Sequence, residues 1–425
     1  MKKFVALFVL VFFSLQTQAA YLLLHMDEKQ KEHLKAYGIA YWALDNGVDV
    51  DWLLNYRGGS FALEYNPLIE GECKIRGVSY EVVPDAKYTL ILQEISQPDV
   101  NMDIVKLEKA PKIAVYSPKD KPHHPDLPWD DAVTLVLEYA EIPFDVVYDE
   151  EVLDEKLSEY DWLHLHHEDF TGQYGKFYSA YRSQSWYIEQ VRYEESKAKS
   201  LGFEKVSQMK LAVVKKIKEY VLGGGFMFAM CSATDTYDIA LCAEGVDICD
   251  RMFDGDGPDP NAQDKLDFDK AFAFHNFILN RNPTQYEFSS IDATQTRQAL
   301  VPKNLDYFTL FEFSAKWDPI PTMLTQNHTR TVKGFMGQTT AFRKQYVKPE
   351  VLVMGENKAA SEARYIHHEY GKGFWTFYGG HDPEDYQHYV GEPATDLNLH
   401  PSSPGYRLIL NNVLFPAARK KKQKT

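Results

Sequence analysis

The stretch Gly223–Asp235, GGGFMFAMCSATD, constrains this chain more than any other part of it. A helix is expected over Ser207–Leu222, with Met209, Val213, Ile217 and Tyr220 on one face. Gly223–Gly225 stop it, because glycine accepts the left-handed cap conformation. Phe226–Met230 are five consecutive apolar residues, the pattern of a strand buried on both faces. Ser232, Thr234 and Asp235 then favour a new helix start. Cys231 is therefore expected at the carboxyl end of a parallel strand, where open α/β sheets hold their ligands. It also meets a helix N-terminus, whose dipole and free N–H groups favour the thiolate.

Around this elbow the pattern alternates. Strands are expected at Ile113–Tyr116, Phe144–Tyr148 and Trp162–His166, with helices at Trp129–Tyr139 and Val152–Tyr160. Alternation of this kind predicts an α/β fold with a doubly wound, mostly parallel sheet over residues 109–425. Two polar, turn-rich stretches near 168–205 and 251–344 read as large insertions on the active-site side. Upstream, Tyr21–Tyr56 reads strand, helix, strand, which predicts a small N-terminal βαβ module over residues 21–108. The chain returns to strands at Val351–Met354, Ala363–Glu369 and Gly373–Tyr378. Gly379–Gly380–His381 and a final helix, Tyr406–Phe415, follow.

The ends bound the setting. Lys2 and Lys3, the apolar run Phe4–Leu15 and Thr17–Gln18–Ala19 form a signal-peptide pattern over residues 1–20, too short for a permanent membrane helix. The mature chain is expected to be exported, periplasmic or extracellular, with no integral membrane segment. Loss of Lys2 and Lys3 takes the formal charge from −15 to −17, which argues against nucleic acid as a partner. The basic run Arg419–Lys424 reads as a frayed tail. Of the four cysteines, Cys231 and Cys242 stand too far apart on one helix to bridge. Cys242–Cys249 is the better-spaced pair, leaving Cys73 and Cys231 free.

Two groups of residues carry chemistry. A nucleophilic cysteine needs a base, and the base needs a carboxylate to hold its tautomer. Cys231, His381 and Glu384 supply these three parts, with His381 following a strand and two glycines in GGHDPED. His164, His166, His167, Glu168 and Asp169 form the second group, at the end of the strand WLHLH. His166, His167, Glu168, Asp382 and Trp186 are the expected substrate contacts. Cysteine chemistry calls for no cofactor. A divalent metal at His164, His166 and His167 is the alternative that the donor types keep open. The acidic loop Asp254–Asp259 has Pro258 and Asp259 where a calcium loop needs a ligand and a glycine, so it reads as an exposed turn.

The cysteine elbow FMFAMCSATD and the late GGHDPED resemble the class I glutamine amidotransferase-like superfamily. The closing EYGKGFWTFYGGHD and HPSSPGYRLILNNVLF are similar to its trehalose-utilisation branch. The resemblance covers roughly Lys112–Pro416 outside the insertions. It implies a flavodoxin-like sheet and a Cys–His–Glu site at Cys231, His381 and Glu384. Two departures stand out: Ala229 and Ala233 replace the glycines that flank the nucleophile in active members, and H-D-P-E replaces H-P-E. The opening HLKAYGIAYWALDNGVDVDWLLNYRGGSF resembles exported Bacteroidetes proteins grouped under the label asparagine synthetase B. The chain has neither that enzyme's N-terminal cysteine nor its S-G-G-x-D-S loop for ATP.

These features give three readings. The first is an exported amidotransferase-like hydrolase acting on an amide or related carbonyl of a small-molecule or glycan substrate. The second is a non-catalytic glycan or cell-wall binding module that uses the aromatic stretch Phe170–Tyr193. The third is a metal-dependent hydrolase.

Overall fold

The computed structural model describes residues 20–118, 121–294, 297 and 301–418. The signal peptide expected over residues 1–20 lies outside them except for Ala20, and so does the basic tail Arg419–Lys424. No helix among the described residues is long and apolar enough to cross a membrane.

Residues 20–107 build a five-stranded antiparallel sheet from β1 (Ala20–Leu24), β2 (Val50–Leu54), β3 (Ser60–Glu64), β4 (Glu81–Pro84) and β5 (Asp103–Leu107). Its order is β4-β1-β3-β2-β5. The strand–helix–strand reading of the opening is correct locally, since helix His33–Asp45 joins β1 to β2. The βαβ module is not, because β3 slots between β1 and β2 and pairs antiparallel with both. The cause is a tight reversal after β2. Asn55, Arg57, Gly58 and Gly59 all take positive φ, so the chain folds straight back alongside the strand it has left.

The second sheet has ten strands: β6 (Ile113–Tyr116), β7 (Asp145–Val147), β8 (Trp162–His166), β9 (Phe226–Met230), β10 (Tyr307–Leu310), β11 (Thr331–Lys333), β12 (Phe342–Arg343), β13 (Leu352–Asn357), β14 (Glu362–Tyr370) and β15 (Gly373–Tyr378). The path runs β11-β10-β13-β14-β15-β9-β8-β6-β7, with β12 on β14. Pairing is parallel only from β15 through β9, β8 and β6 to β7. The remaining pairs are antiparallel.

The expected doubly wound, mostly parallel flavodoxin-like sheet is therefore corrected to a mixed sheet, parallel in part, beside a separate antiparallel one. Two local facts produce the difference. The turn at Gly371–Lys372, with Gly371 at φ 64°, is too short for a crossover, so β14 and β15 form a hairpin. The stretch 251–344, read as an insertion, supplies β10, β11 and β12 to the sheet itself.

Helices Ala132–Tyr139 and Pro404–Leu414 cover one face of this sheet, and helices Val206–Gly223 and Ser232–Cys242 contribute to the core on the other. The first of these cores is continuous with the N-terminal sheet, joining Leu22, Trp52 and Leu63 to Val115, Phe228 and Met230. Polar contacts add to it. The buried Arg407 guanidinium donates to Met26 O at 2.9 Å and Gly58 O at 2.7 Å. At Gly38 the two units approach so closely that a β-carbon would lie 1.9 Å from Ala140 O. All four cysteines are free thiols. The pair Cys242–Cys249 does not bridge, since the two side chains belong to different cores and the Cys249 thiol donates to Thr171 O at 3.3 Å.

The Gly38 contact is testable. Gly38→Ala should destabilise the chain by about 1–3 kcal/mol, the usual cost of overpacking. Gly71→Ala has open space at its β-carbon within helix Pro67–Ile75, so it should instead gain up to about 1 kcal/mol from helix propensity. Urea unfolding of the two variants checks both signs.

Candidate active site

Strand register places the chemistry. His166 pairs with Met230, and Met230 with Tyr378, across the parallel strands β8, β9 and β15. The residues that follow, His167, Cys231 and Gly379–His381, thus leave the sheet side by side at its carboxyl edge. The backbone there is strained. Cys231 has φ 54° and ψ −141°, and His167 has φ 56°. Non-glycine residues in such conformations persist only where surrounding packing enforces them, and they concentrate at functional sites. The loop Phe335–Ala341 closes over the edge through Gly380 N–H to Thr339 O at 2.8 Å and His381 N–H to Met336 O at 2.9 Å. Gly337 permits this approach, since a β-carbon there would stand 2.7 Å from His381 N.

Cys231 is fully buried. Its Sγ lies 3.3 Å from His167 Nδ1 and accepts the Gln338 backbone N–H at 3.3 Å. His381 completes the group: a ring nitrogen of each histidine and the sulfur all lie within 4.8 Å of one another. A helix N-terminus favours the thiolate, yet burial moves this thiol the opposite way. Burial pushes the Cys231 thiol up to about 11, against the backbone N–H donors of Gln338, Thr339 and Ser232 that favour the thiolate. Burial also drives His167 down to about 3, with the neighbouring charges of His166 and His388 adding to the effect. His167 is therefore neutral near pH 7.

The other expected residues are placed as follows. His381 is buried, held well below the usual histidine range by burial and by His166, His167 and His388. No hydrogen bond joins it to Cys231, and neither of its ring nitrogens has a hydrogen-bond partner. It stacks between His166 and His388, at centroid distances of 4.6 and 4.8 Å. Glu384 does not orient His381. Its carboxylate lies 3.2 Å from His400 Nδ1 and 3.7 Å from Lys333 Nζ. Asp382 is a turn former, accepting the backbone N–H groups of Glu384 and Asp385. Trp186 packs on Trp129, 5.3 Å between centroids, and Trp129 packs on His167 at 5.0 Å. Trp129 and Phe177 line a cavity of about 20 Å³ beside His167 and Glu168, room for one water-sized group. Burial raises the Glu168 carboxyl to about 8 although Lys210 pulls it down.

Three site residues were not singled out in the sequence. Asp131 caps helix Ala132–Tyr139, accepting from Val133 N and Thr134 N, and it also reaches His164 and His166. Its signal was present, since two aspartates at a helix start after a parallel strand must face the same sheet edge. His388 lies 3.0 Å from Asp130 and 2.9 Å from Asp385. Gln338 carried no signal.

Three sets of donors at this edge are spaced to hold a metal: His167–Cys231–His381 and Asp130–His381–His388, which share His381, and the separate set Asp131–His164–His166. The acidic loop after Asp254 is arranged differently, with the Lys205 ammonium between Asp247, Asp254 and Asp256. A cleft of about 1300 Å³ opens at the opposite edge of the sheet, around Gly225, Phe226, Trp317 and Lys372, away from the thiol.

No family model and no curated protein matches this chain. Among solved structures, a cytoplasmic protein from Salmonella typhimurium aligns at 11% identity and a TM-score of 0.34, covering 73% of this chain and 100% of its own. Gan42B, a GH42 β-galactosidase, aligns at 12% identity and a TM-score of 0.27, covering 64% of this chain and 28% of its own. Likenesses at this level carry no inference about fold or function.

His388 supplies a pH test. The Asp130 hydrogen bond, with Asp385 on the other nitrogen, raises it from 6.5 to about 9 against the effect of burial. A raised folded-state pKa means that this ion pair adds stability fully below pH 6.5, and the contribution is lost as pH rises through about 9. The imidazole resonances of His388 should titrate near pH 9 by NMR. A midpoint at or below 6.5 would contradict the arrangement.

Proposed function

We propose that this protein is a hydrolase in which Cys231 attacks an amide or related carbonyl. One observation carries the reading: a buried cysteine held at φ 54° on a strand-to-helix turn, its sulfur 3.3 Å from a neutral imidazole, His167. Strained elbows of this kind expose a nucleophile at the edge of a sheet. In the proposed cycle His167 takes the thiol proton and the sulfur attacks the carbonyl carbon. The C–N bond then breaks, and the amine leaves with the proton that His167 returns. Water hydrolyses the thioester, giving the carboxylic acid and the free thiol. The N–H groups of Gln338, Thr339 and Ser232 favour negative charge at the sulfur. His381 offers unpartnered ring nitrogens within reach of the same space.

The likeness of the cysteine elbow to the class I glutamine amidotransferase-like superfamily supports an amidotransferase-like reaction, and the signal-peptide pattern supports an extracytoplasmic setting. A glycan platform draws less support, since Tyr174, Phe177 and Tyr187 of the aromatic stretch are buried against their neighbours. Because the cavity is so small, substrate entry requires the cover formed by Trp129 and Phe177 to shift.

Two measurements test the proposal. In a panel of amide, ester and thioester substrates, turnover should vanish in Cys231→Ala and fall by about 100-fold or more in His167→Ala, the usual range for loss of a general base. An acyl adduct on Cys231 should be visible by mass spectrometry. Full turnover in Cys231→Ala would sink the reading. Alkylation by iodoacetamide should accelerate as pH rises toward about 11 for Cys231 and lag behind it at Cys73, whose thiol burial raises to about 12.

A further inference from the structure

Beside the thiol, and independent of it, stands a second cluster whose geometry asks for a cation. Asp131 Oδ2 lies 3.2 Å from His164 Nε2, and Asp131 Oδ1 lies 3.3 Å from His166 Nδ1. Four-coordinate zinc binds imidazole nitrogen at about 2.0–2.1 Å, so the edges of its tetrahedron measure about 3.3–3.4 Å. The Asp131 Oδ2–His164 Nε2 separation is close to such an edge, and one donor atom from each of Asp131, His164 and His166 lies within 4.8 Å of the other two.

The hydrogen bonding points the same way. His164 Nδ1 lies 3.3 Å from Phe228 O. A carbonyl only accepts, so Nδ1 carries the proton, and the Nε2 lone pair faces a carboxylate. That contact is repulsive unless the buried ring takes a second proton or a cation sits between the two groups. His166 is 4% exposed, and neither of its ring nitrogens makes a hydrogen bond. Asp131 divides its oxygens: Oδ1 accepts two N–H groups at the helix start, at 2.7 and 3.0 Å, which leaves Oδ2 uncommitted to the cap. The Phe228 carbonyl stands where outer partners of metal-bound histidines stand, holding the ring by its other nitrogen.

We propose that Asp131, His164 and His166 form a binding site for a divalent d-block ion of the zinc class, with Phe228 O orienting His164. Two imidazoles and one carboxylate leave a fourth position open, the pattern of zinc sites that bind water or substrate rather than purely structural ones. Because His166 is followed directly by His167, an ion held there also fixes the end of β8 that presents His167 to Cys231.

The test uses the untagged protein and zinc or cobalt(II) chloride, read by calorimetry and by the cobalt spectrum. One ion should bind per chain, with visible bands of tetrahedral cobalt and no thiolate-to-metal charge-transfer band. Asp131→Asn keeps the size and helix-capping ability of the residue. It should weaken binding by more than the roughly 10–100-fold that loss of an outer partner costs. Cys231→Ala and His388→Asn should bind as the parent does. A charge-transfer band, or loss of binding in Cys231→Ala, would move the ion to the His167–Cys231–His381 set and overturn the proposal. Loss in His388→Asn with binding kept in Asp131→Asn would move it to the Asp130 set and overturn it equally. Failure of the folded parent protein to bind one ion would overturn it outright. Every readout is metal binding, so none depends on whether Cys231 hydrolyses a substrate.

Discussion

The parallel register of β8, β9 and β15 is the constraint on which the rest of the site depends. His166, Met230 and Tyr378 sit abreast in neighbouring strands. Each strand ends there, and the three continuations have nowhere to go but the same edge. Parallel strands are held by crossovers packed on both faces, and here helices Val206–Gly223 and Ser232–Cys242 fill one face while Pro404–Leu414 fills the other. A slip of one residue in β9 would move Cys231 away from His167 and swap the strand's side chains between the two cores. The run FMFAM resists that slip, because Phe226, Phe228 and Met230 pack into one core and Met227 and the small Ala229 into the other.

Electrostatics at this edge follow from burial more than from any single pairing. His164, His166, His167, His381 and His388 lie within a few ångströms of one another, linked by ring contacts. Protonated together, such a cluster would repel itself in a medium of low dielectric. His388 alone is shifted upward, because two carboxylates flank it. His167 and His381 stay neutral. The outcome is a neutral acceptor beside a thiol that burial keeps protonated, so proton transfer between them creates charge that the backbone N–H groups around the sulfur are placed to meet.

The legible parts of the sequence were those where one local pattern decides one local structure. Buried runs such as WLHLH and FMFAM marked β8 and β9, and glycines marked the helix stop before β9. The unread parts were those decided by pairing at a distance. Nothing in Ser60–Glu64 says that it will enter between β1 and β2, because that depends on the left-handed turn at Asn55–Gly59. Nothing local says that β10, β11 and β12 join the edge of a sheet begun two hundred residues earlier. At the site, Cys231, His167 and His381 were legible because strand ends in one parallel sheet converge. Glu384 was assigned by spacing to a role its geometry does not fill, for its turn directs the carboxylate to His400. Asp131 was visible only as a helix cap, although a cap at the same edge is equally a ligand.

Strain is concentrated at the sulfur–imidazole contact. A positive φ at a non-glycine residue costs roughly 1–3 kcal/mol, and Cys231 and His167 both take one within 3.3 Å of each other. Relaxation of either would turn its side chain out of the shared space and separate sulfur from nitrogen. The fold holds Cys231 in place through its carbonyl, which accepts from Thr234 N and Oγ1, and through the loop that brings the Gln338 N–H onto the sulfur. Two strained residues maintained in contact by independent elements make a pre-organised pair, which is what a proton transfer at a fixed distance needs.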